Sequence, residues 1–324
     1  MKISFTAFFL LFSWITSAHA AGFQMVKVDN SSDGPIQVAV WYPSTATPSS
    51  NTMGPYRQDV AIGGKVEGTS LPLVVISHGT GGSSLGHYDT ALALADAGFV
   101  VAALTHPGDN HADQSKAVFI LNRPKHISRV IDYMLSEWSG KERIDSARIG
   151  MYGFSAGGFT ALVTIGGKPD LSLVGPHCST HRGDFACELL AQNKTNLPQI
   201  ELTPSAGLKD NRVRAAVIAA PALGFTFGKA GLREVSVPIQ LWRAENDTVL
   251  PHPWYAEAVR NDLPVAPEYH VVSDAGHFDF LAPCSERLAA IAPNICASSP
   301  GFNRSAFHAR FNSAVVAFFK EKMR

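Results

Sequence analysis

Charge is scarce in this 324-residue chain, and what there is cancels. Charged residues are 17% of the total, with Lys plus Arg and Asp plus Glu at 27 each. No surplus of either sign exists to build a polyanion-binding face, so nucleic acid is not an expected partner. Internal repeats are absent, as are low-complexity tracts beyond one short polar loop. Beyond the first twenty residues no run is apolar enough to cross a bilayer. Gly-Lys-Ser/Thr and Gly-x-Gly-x-x-Gly are both missing, which argues against a nucleotide site and leaves no cofactor expected. What is present in quantity is apolar: 46% of the residues, enough for a substantial core.

The first twenty residues stand apart. Lys2, the apolar run from Phe5 to Ile15 and the small-x-small triplet Ala18-His-Ala20 have the layout of a secretory signal peptide. An uncleaved anchor is the competing reading, and the missing cysteine after the run gives no support to a lipoprotein. The expected domains are therefore residues 1–20, a signal peptide, and residues 21–324, a single domain. Export to the periplasm or the medium agrees with the cysteines. Only four occur, Cys178, Cys187, Cys284 and Cys296. Their local spacing favours disulfides Cys178–Cys187 and Cys284–Cys296 among three possible connectivities, and is too wide for a paired zinc-binding motif.

Along the remainder, β-rich runs alternate with helical ones. Gln24–Val28 and Ile36–Trp41 suggest a hairpin, and Pro43–Gly68 reads as a long loop. Leu71–Ser77, Phe99–Leu104, Val213–Ala219, Val237–Trp242 and Glu268–Val272 suggest strands. His87–Ala97, Pro124–Trp138, Tyr255–Arg260 and Ser305–Lys320 have helical spacing. The alternation predicts an α/β fold, a mostly parallel central sheet with helices on both faces. Lys168–Asn211, polar and weakly periodic, reads as an insertion after the nucleophile helix, either a lid or a surface excursion.

The centre of the pattern is Ile149-Gly-Met-Tyr-Gly-Phe-Ser-Ala-Gly-Gly158, an apolar strand that breaks at a Gly-x-Ser-x-Gly frame and runs into a helix. A serine at that junction is a nucleophile elbow; small residues on either side let strand and helix approach. A hydroxyl needs a base, and an imidazole base works best when a carboxylate orients it. His277 follows the last strand and Asp247 the one before, so Ser155, Asp247 and His277 occur in the order this elbow requires. Glu245 and Asp274 compete with Asp247. The oxyanion donors expected are the amides of Ala156 and Thr80, the latter in His78-Gly-Thr-Gly-Gly82, with Gly81 as the fallback. His78 reads as a loop-positioning residue. His106, Asp109 and His111 share one loop, which reads as cleft lining and not as a metal site.

Together, His78-Gly-Thr-Gly, Gly153-Phe-Ser155-Ala-Gly-Gly158, Asp247 and Ala275-Gly-His277 resemble the α/β-hydrolase superfamily. With Trp41-Tyr-Pro-Ser44 and Arg123-Pro-Lys they resemble the bacterial secreted proteins labelled predicted dienelactone hydrolases, relatives of platelet-activating-factor acetylhydrolase. The resemblance runs from Gln24 to the C-terminus and is weakest over Lys168–Asn211. It implies a serine esterase for short or oxidised acyl groups, on small-molecule or lipid-derived esters, with the triad above and an acyl-enzyme. True dienelactone hydrolases use cysteine where this chain has Ser155, so that label does not define its substrate. A cutinase-like polyesterase, a peptidase of the same fold and a non-catalytic binding protein are the alternatives.

Overall fold

The computed structural model describes residues 20–193 and 207–324. All of the expected leader except Ala20, together with residues 194–206 of the insertion, falls outside them. In chain order the elements are β1 (Ala20–Val28), β2 (Ile36–Ser44), β3 (Ser49–Met53), β4 (Tyr56–Ile62), β5 (Leu71–Ser77), α1 (Tyr88–Asp96), β6 (Val100–Thr105) and α2 (Arg123–Ser136). They continue with β7 (Ile144–Phe154), α3 (Ala156–Thr164), α4 (Val174–Thr180), α5 (Phe185–Gln192), β8 (Val213–Ala219), α6 (Gly228–Leu232) and β9 (Ile239–Ala244). The chain closes through α7 (Ala256–Asp262), β10 (Glu268–Val272), α8 (Glu286–Ile291), α9 (Pro293–Cys296) and α10 (Arg304–Lys322).

The strands form one sheet in the order β10-β9-β8-β7-β5-β6-β2-β1-β4-β3. From β6 to β10 neighbours run parallel. The β1–β2 hairpin is antiparallel and joins β6 through β2. Strands β5 to β8 are apolar along most of their length because both faces are covered. On one face α2 and α3 pack Ile127, Val130, Phe159 and Leu162 against Val75, Met151 and Ile218. On the other, α1 and α10 pack Leu94, Phe311, Val315 and Phe319 against Val74, Tyr152 and Val217.

The stretch Pro43–Gly68, expected as a loop, instead contains the antiparallel pair β3–β4. Tyr56, Gln58 and Val60 alternate inward, and buried Gln58 accepts a hydrogen bond at 3.0 Å from Trp41 Nε1. The inward set therefore includes a glutamine, and β3 is largely exposed, so neither strand shows an unbroken apolar alternation. The described part of the insertion contains two short helices, α4 and α5. Both expected disulfides are present, Cys178–Cys187 joining α4 to α5 and Cys284–Cys296 tying the segment before α8 to α9. Among the described residues no helix is long and apolar enough to cross a membrane.

Candidate active site

Four parallel strands, β5, β7, β9 and β10, end on the same rim of the sheet, and each delivers one part of the site. In an open parallel sheet this rim is where ligands bind, because the loops leaving it converge. From β7 comes Ser155, at φ 56° and ψ −117°, a left-sided conformation that a side-chain-bearing residue holds only under constraint. The constraint is packing around the elbow. A Cβ on Gly153 would sit 2.5 Å from the carbonyl carbon of Gly157, and one on Gly157 would sit 2.9 Å from the His78 carbonyl oxygen. Only glycine lets β5, β7 and α3 meet this closely.

From β9 comes Asp247 and from β10 His277. His277 Nε2 lies 3.0 Å from Ser155 Oγ, and its Nδ1 lies 2.7 Å from Asp247 Oδ2. The other Asp247 oxygen accepts from the amides of Val249 (3.0 Å) and Leu250 (2.7 Å), so the carboxylate cannot rotate away from the imidazole. All three side chains are buried. The His277 ring also rests against Phe154, with 4.8 Å between ring centroids. The competing carboxylates are elsewhere: Glu245 accepts from the Asp274 amide at 3.1 Å, and Asp274 is exposed. One turn further on, Asp279 caps the Gly276 amide at 2.8 Å and is itself held by Arg304 at 2.9 Å, which anchors the histidine loop to α10.

From β5 comes the loop His78–Gly82. Among the described residues the amides of Thr80 and Ala156 have no protein acceptor, and both residues line the cavity that opens at Ser155. The Gly81 amide is taken: it donates to Asp109 Oδ1 at 3.0 Å. Beneath this loop lies polar machinery that composition and spacing did not reveal. Buried Arg123 donates through Nη1 to Asp109 Oδ2 at 2.6 Å and through Nη2 to the His78 carbonyl. One guanidinium thus clamps both ends of the turn. A buried ion pair of this kind is unforgiving, since removal of one partner strands the other charge.

The loop carrying His106 and Asp109 was expected to line the cleft; both residues instead lie buried behind the glycine-rich turn. His106 Nε2 is 2.9 Å from Ser77 Oγ, its amide donates to His78 Nε2 at 3.0 Å, and its Nδ1 is 3.1 Å from His126 Nδ1. Burial, with Arg123 nearby, drives the His78 and His106 imidazoles well below their ordinary value, so both stay neutral scaffold groups. Burial also lowers His126, whose Nε2 meets Asp33 at 3.0 Å. His78 is therefore a positioning residue, as its sequence context suggested. His111 is exposed. Among the described residues no group of three or more His, Cys, Asp or Glu is arranged to hold a metal ion.

A second buried cluster fastens the insertion to the body. Asp184 Oδ2, just before α5, accepts from Tyr255 Oη at 2.8 Å and meets His177 Nε2 at 2.8 Å. His177 stacks on Phe225 with centroids 3.8 Å apart. Burial, reinforced by the Asp184 carboxylate, raises the Tyr255 phenol well above its usual value, so it stays a donor.

A serine elbow after a central parallel strand, an acid and a histidine on loops after two later strands, and helices on both faces are the layout of the α/β-hydrolase fold, which this chain has. Among solved structures it is similar to a ferulic acid esterase from Streptomyces cinnamoneus, at 21% identity over 95% of this chain and 91% of that one, with a TM-score of 0.63. At that identity the likeness shows the fold. No family model matches the chain, and a search of curated proteins finds no match.

Proposed function

We propose that the protein is a serine hydrolase of carboxylic esters acting through an acyl-enzyme. The observation that carries this is the continuous chain Ser155 Oγ–His277 Nε2–Asp247, at 3.0 and 2.7 Å, whose serine lies on the wall of a cavity. His277 takes the serine proton as Oγ attacks the ester carbonyl, while Asp247 holds the ring and the imidazolium that forms. The unengaged amides of Thr80 and Ala156 receive the oxyanion. Collapse of the tetrahedral intermediate expels the alcohol, which takes its proton from His277. The imidazole then deprotonates a water that attacks the acyl carbon, releasing the acid and regenerating Ser155. No cofactor enters this cycle.

The finer parts of the proposal follow from the sequence. The group of secreted dienelactone-hydrolase-like and platelet-activating-factor-acetylhydrolase-like proteins is the relationship we favour. The chain is read as a signal peptide over residues 1–20 and one hydrolase domain over 21–324, with 168–211 as its insertion. Export is supported by the two disulfides, which persist in oxidising compartments. The ester specificity of the structural neighbour agrees with the reaction class. Rapid-mixing kinetics with p-nitrophenyl butyrate test it: an acyl-enzyme releases a burst of about one equivalent of p-nitrophenol per chain before slower turnover. Absence of any turnover across a panel of neutral esters would count against the reaction.

A further inference from the structure

The cavity at Ser155 carries information about the substrate beyond the reaction itself. Its volume is about 490 Å³. Among the described residues its lining includes no charged side chain and no histidine; the hydroxyl-bearing contributors are Thr80, Ser155 and Ser172. Aliphatic side chains such as Ile120, Val174, Leu190 and Leu223 dominate the rest, and Cys178–Cys187 forms part of the wall.

Which half of an ester enters follows from the position of the imidazole. In the tetrahedral intermediate the reacting carbon bears Ser155 Oγ, the oxyanion, the alcohol oxygen and the acyl chain. The alcohol oxygen must reach His277 Nε2 for its proton, so it lies on the histidine side. The oxyanion faces the amides of Thr80 and Ala156. The cavity touches Thr80, Ser155 and Ala156, and among the described residues it includes neither His277 nor any other residue of β10 or of the loop after it. The direction left for the cavity is that of the acyl chain.

Resting on the serine-esterase reading above, we infer that this cavity is an acyl site and that the substrates are esters of uncharged, apolar carboxylic acids of medium chain length. A carboxylate or ammonium on the acyl group would be desolvated there with no partner among the described residues, which disfavours half-esters of diacids. At about 30 Å³ per water-sized group, the volume corresponds to on the order of 16 such groups, far more than an acetyl group fills. Among the described residues the far wall is α4 and α5, joined to each other by the disulfide and to the body by Asp184 and Tyr255, so that part of the wall is a fastened element.

The test is a kcat/KM series on the full-length protein. It uses p-nitrophenyl acetate, butyrate, octanoate and hemisuccinate, with octyl acetate as the alcohol-side control and Leu190→Trp as the filling variant. Burial of each methylene is expected to raise kcat/KM about fourfold until the site is filled, so the six additional methylenes of octanoate raise it over acetate by up to about 4,000-fold. The hemisuccinate falls below the butyrate by at least about tenfold. Octyl acetate gains nothing comparable, and Leu190→Trp, checked for cooperative unfolding, lowers the octanoate-to-acetate ratio by at least about tenfold. Acetate turnover with a flat or falling series, or an octyl acetate gain without an octanoate gain, overturns the acyl assignment and leaves the serine esterase standing. An unchanged ratio in Leu190→Trp also overturns it. No turnover of any ester, with Ser155 unreactive to a fluorophosphonate, defeats the underlying esterase reading instead.

Discussion

Ser155→Ala is expected to lower kcat for p-nitrophenyl butyrate by roughly 10⁴- to 10⁶-fold, while the protein still unfolds cooperatively within a few degrees of the parent. The loss is large because the hydroxyl is the atom that becomes bonded to the acyl group, so nothing downstream of it can compensate. What survives is the contribution of binding and of the Thr80 and Ala156 amides. Stability changes little because the alanine keeps the same Cβ at the same strained φ of 56°. The strain itself has a separate signature: Ser155→Gly, equally inactive, melts above Ser155→Ala, because glycine reaches positive φ without steric cost. Activity assays and thermal melts on the two variants check both halves.

Gly157→Ala is expected to cost about 3 kcal/mol or more, lowering Tm by roughly 5 °C or more, and to remove most activity. The added methyl would be driven into the Ser77 carbonyl group at the end of β5 and would sit 2.9 Å from the His78 carbonyl oxygen. Both neighbours are backbone, so relief requires α3 to move off the sheet, and the elbow and the oxyanion loop move with it. Gly175→Ala in α4 is the control. A Cβ there meets nothing within 4 Å, so its stability should stay within about 0.5 kcal/mol of the parent or rise. A calorimetric comparison in which both variants melt alike would contradict the packing account of the elbow.

The parts of this fold that could be read in advance are those whose constraints are local in sequence. Val213–Ala219 and Glu268–Val272 emerge with the bounds expected of them, and Leu71–Ser77 likewise. Leu71–Ser77 is apolar up to its final serine and Val213–Ala219 is apolar except for the exposed Arg214 near its start, close to the pattern a parallel strand buried on both faces demands. Ser155, Asp247 and His277 were legible because each follows a strand and their order along the chain is that of the elbow architecture; the structure brings them within hydrogen-bond reach of one another.

Other features depend on contacts between distant segments. Arg123 looks like an ordinary charge at the start of a helix, and only the fold buries it against Asp109 and the His78 carbonyl. The polarity of the loop carrying His106 and Asp109 suggests a solvent-facing cleft wall, yet here it serves a buried scaffold. The β3–β4 hairpin escaped notice because its inward positions include a glutamine whose partner, Trp41, lies on another strand. The helices of the insertion were hidden for a related reason. Val174 and Cys187 are their only buried apolar side chains among the described residues, too few to print a helical period.

The central claim is that Ser155 is the nucleophile, made reactive by His277. Incubation of the intact protein with a fluorophosphonate, followed by whole-protein mass measurement and peptide mapping, tests it most directly. The account predicts one adduct per chain, on Ser155, with labelling suppressed at least about a hundredfold in His277→Ala. Labelling at another residue, or equal labelling of Ser155 with and without the imidazole, would contradict it.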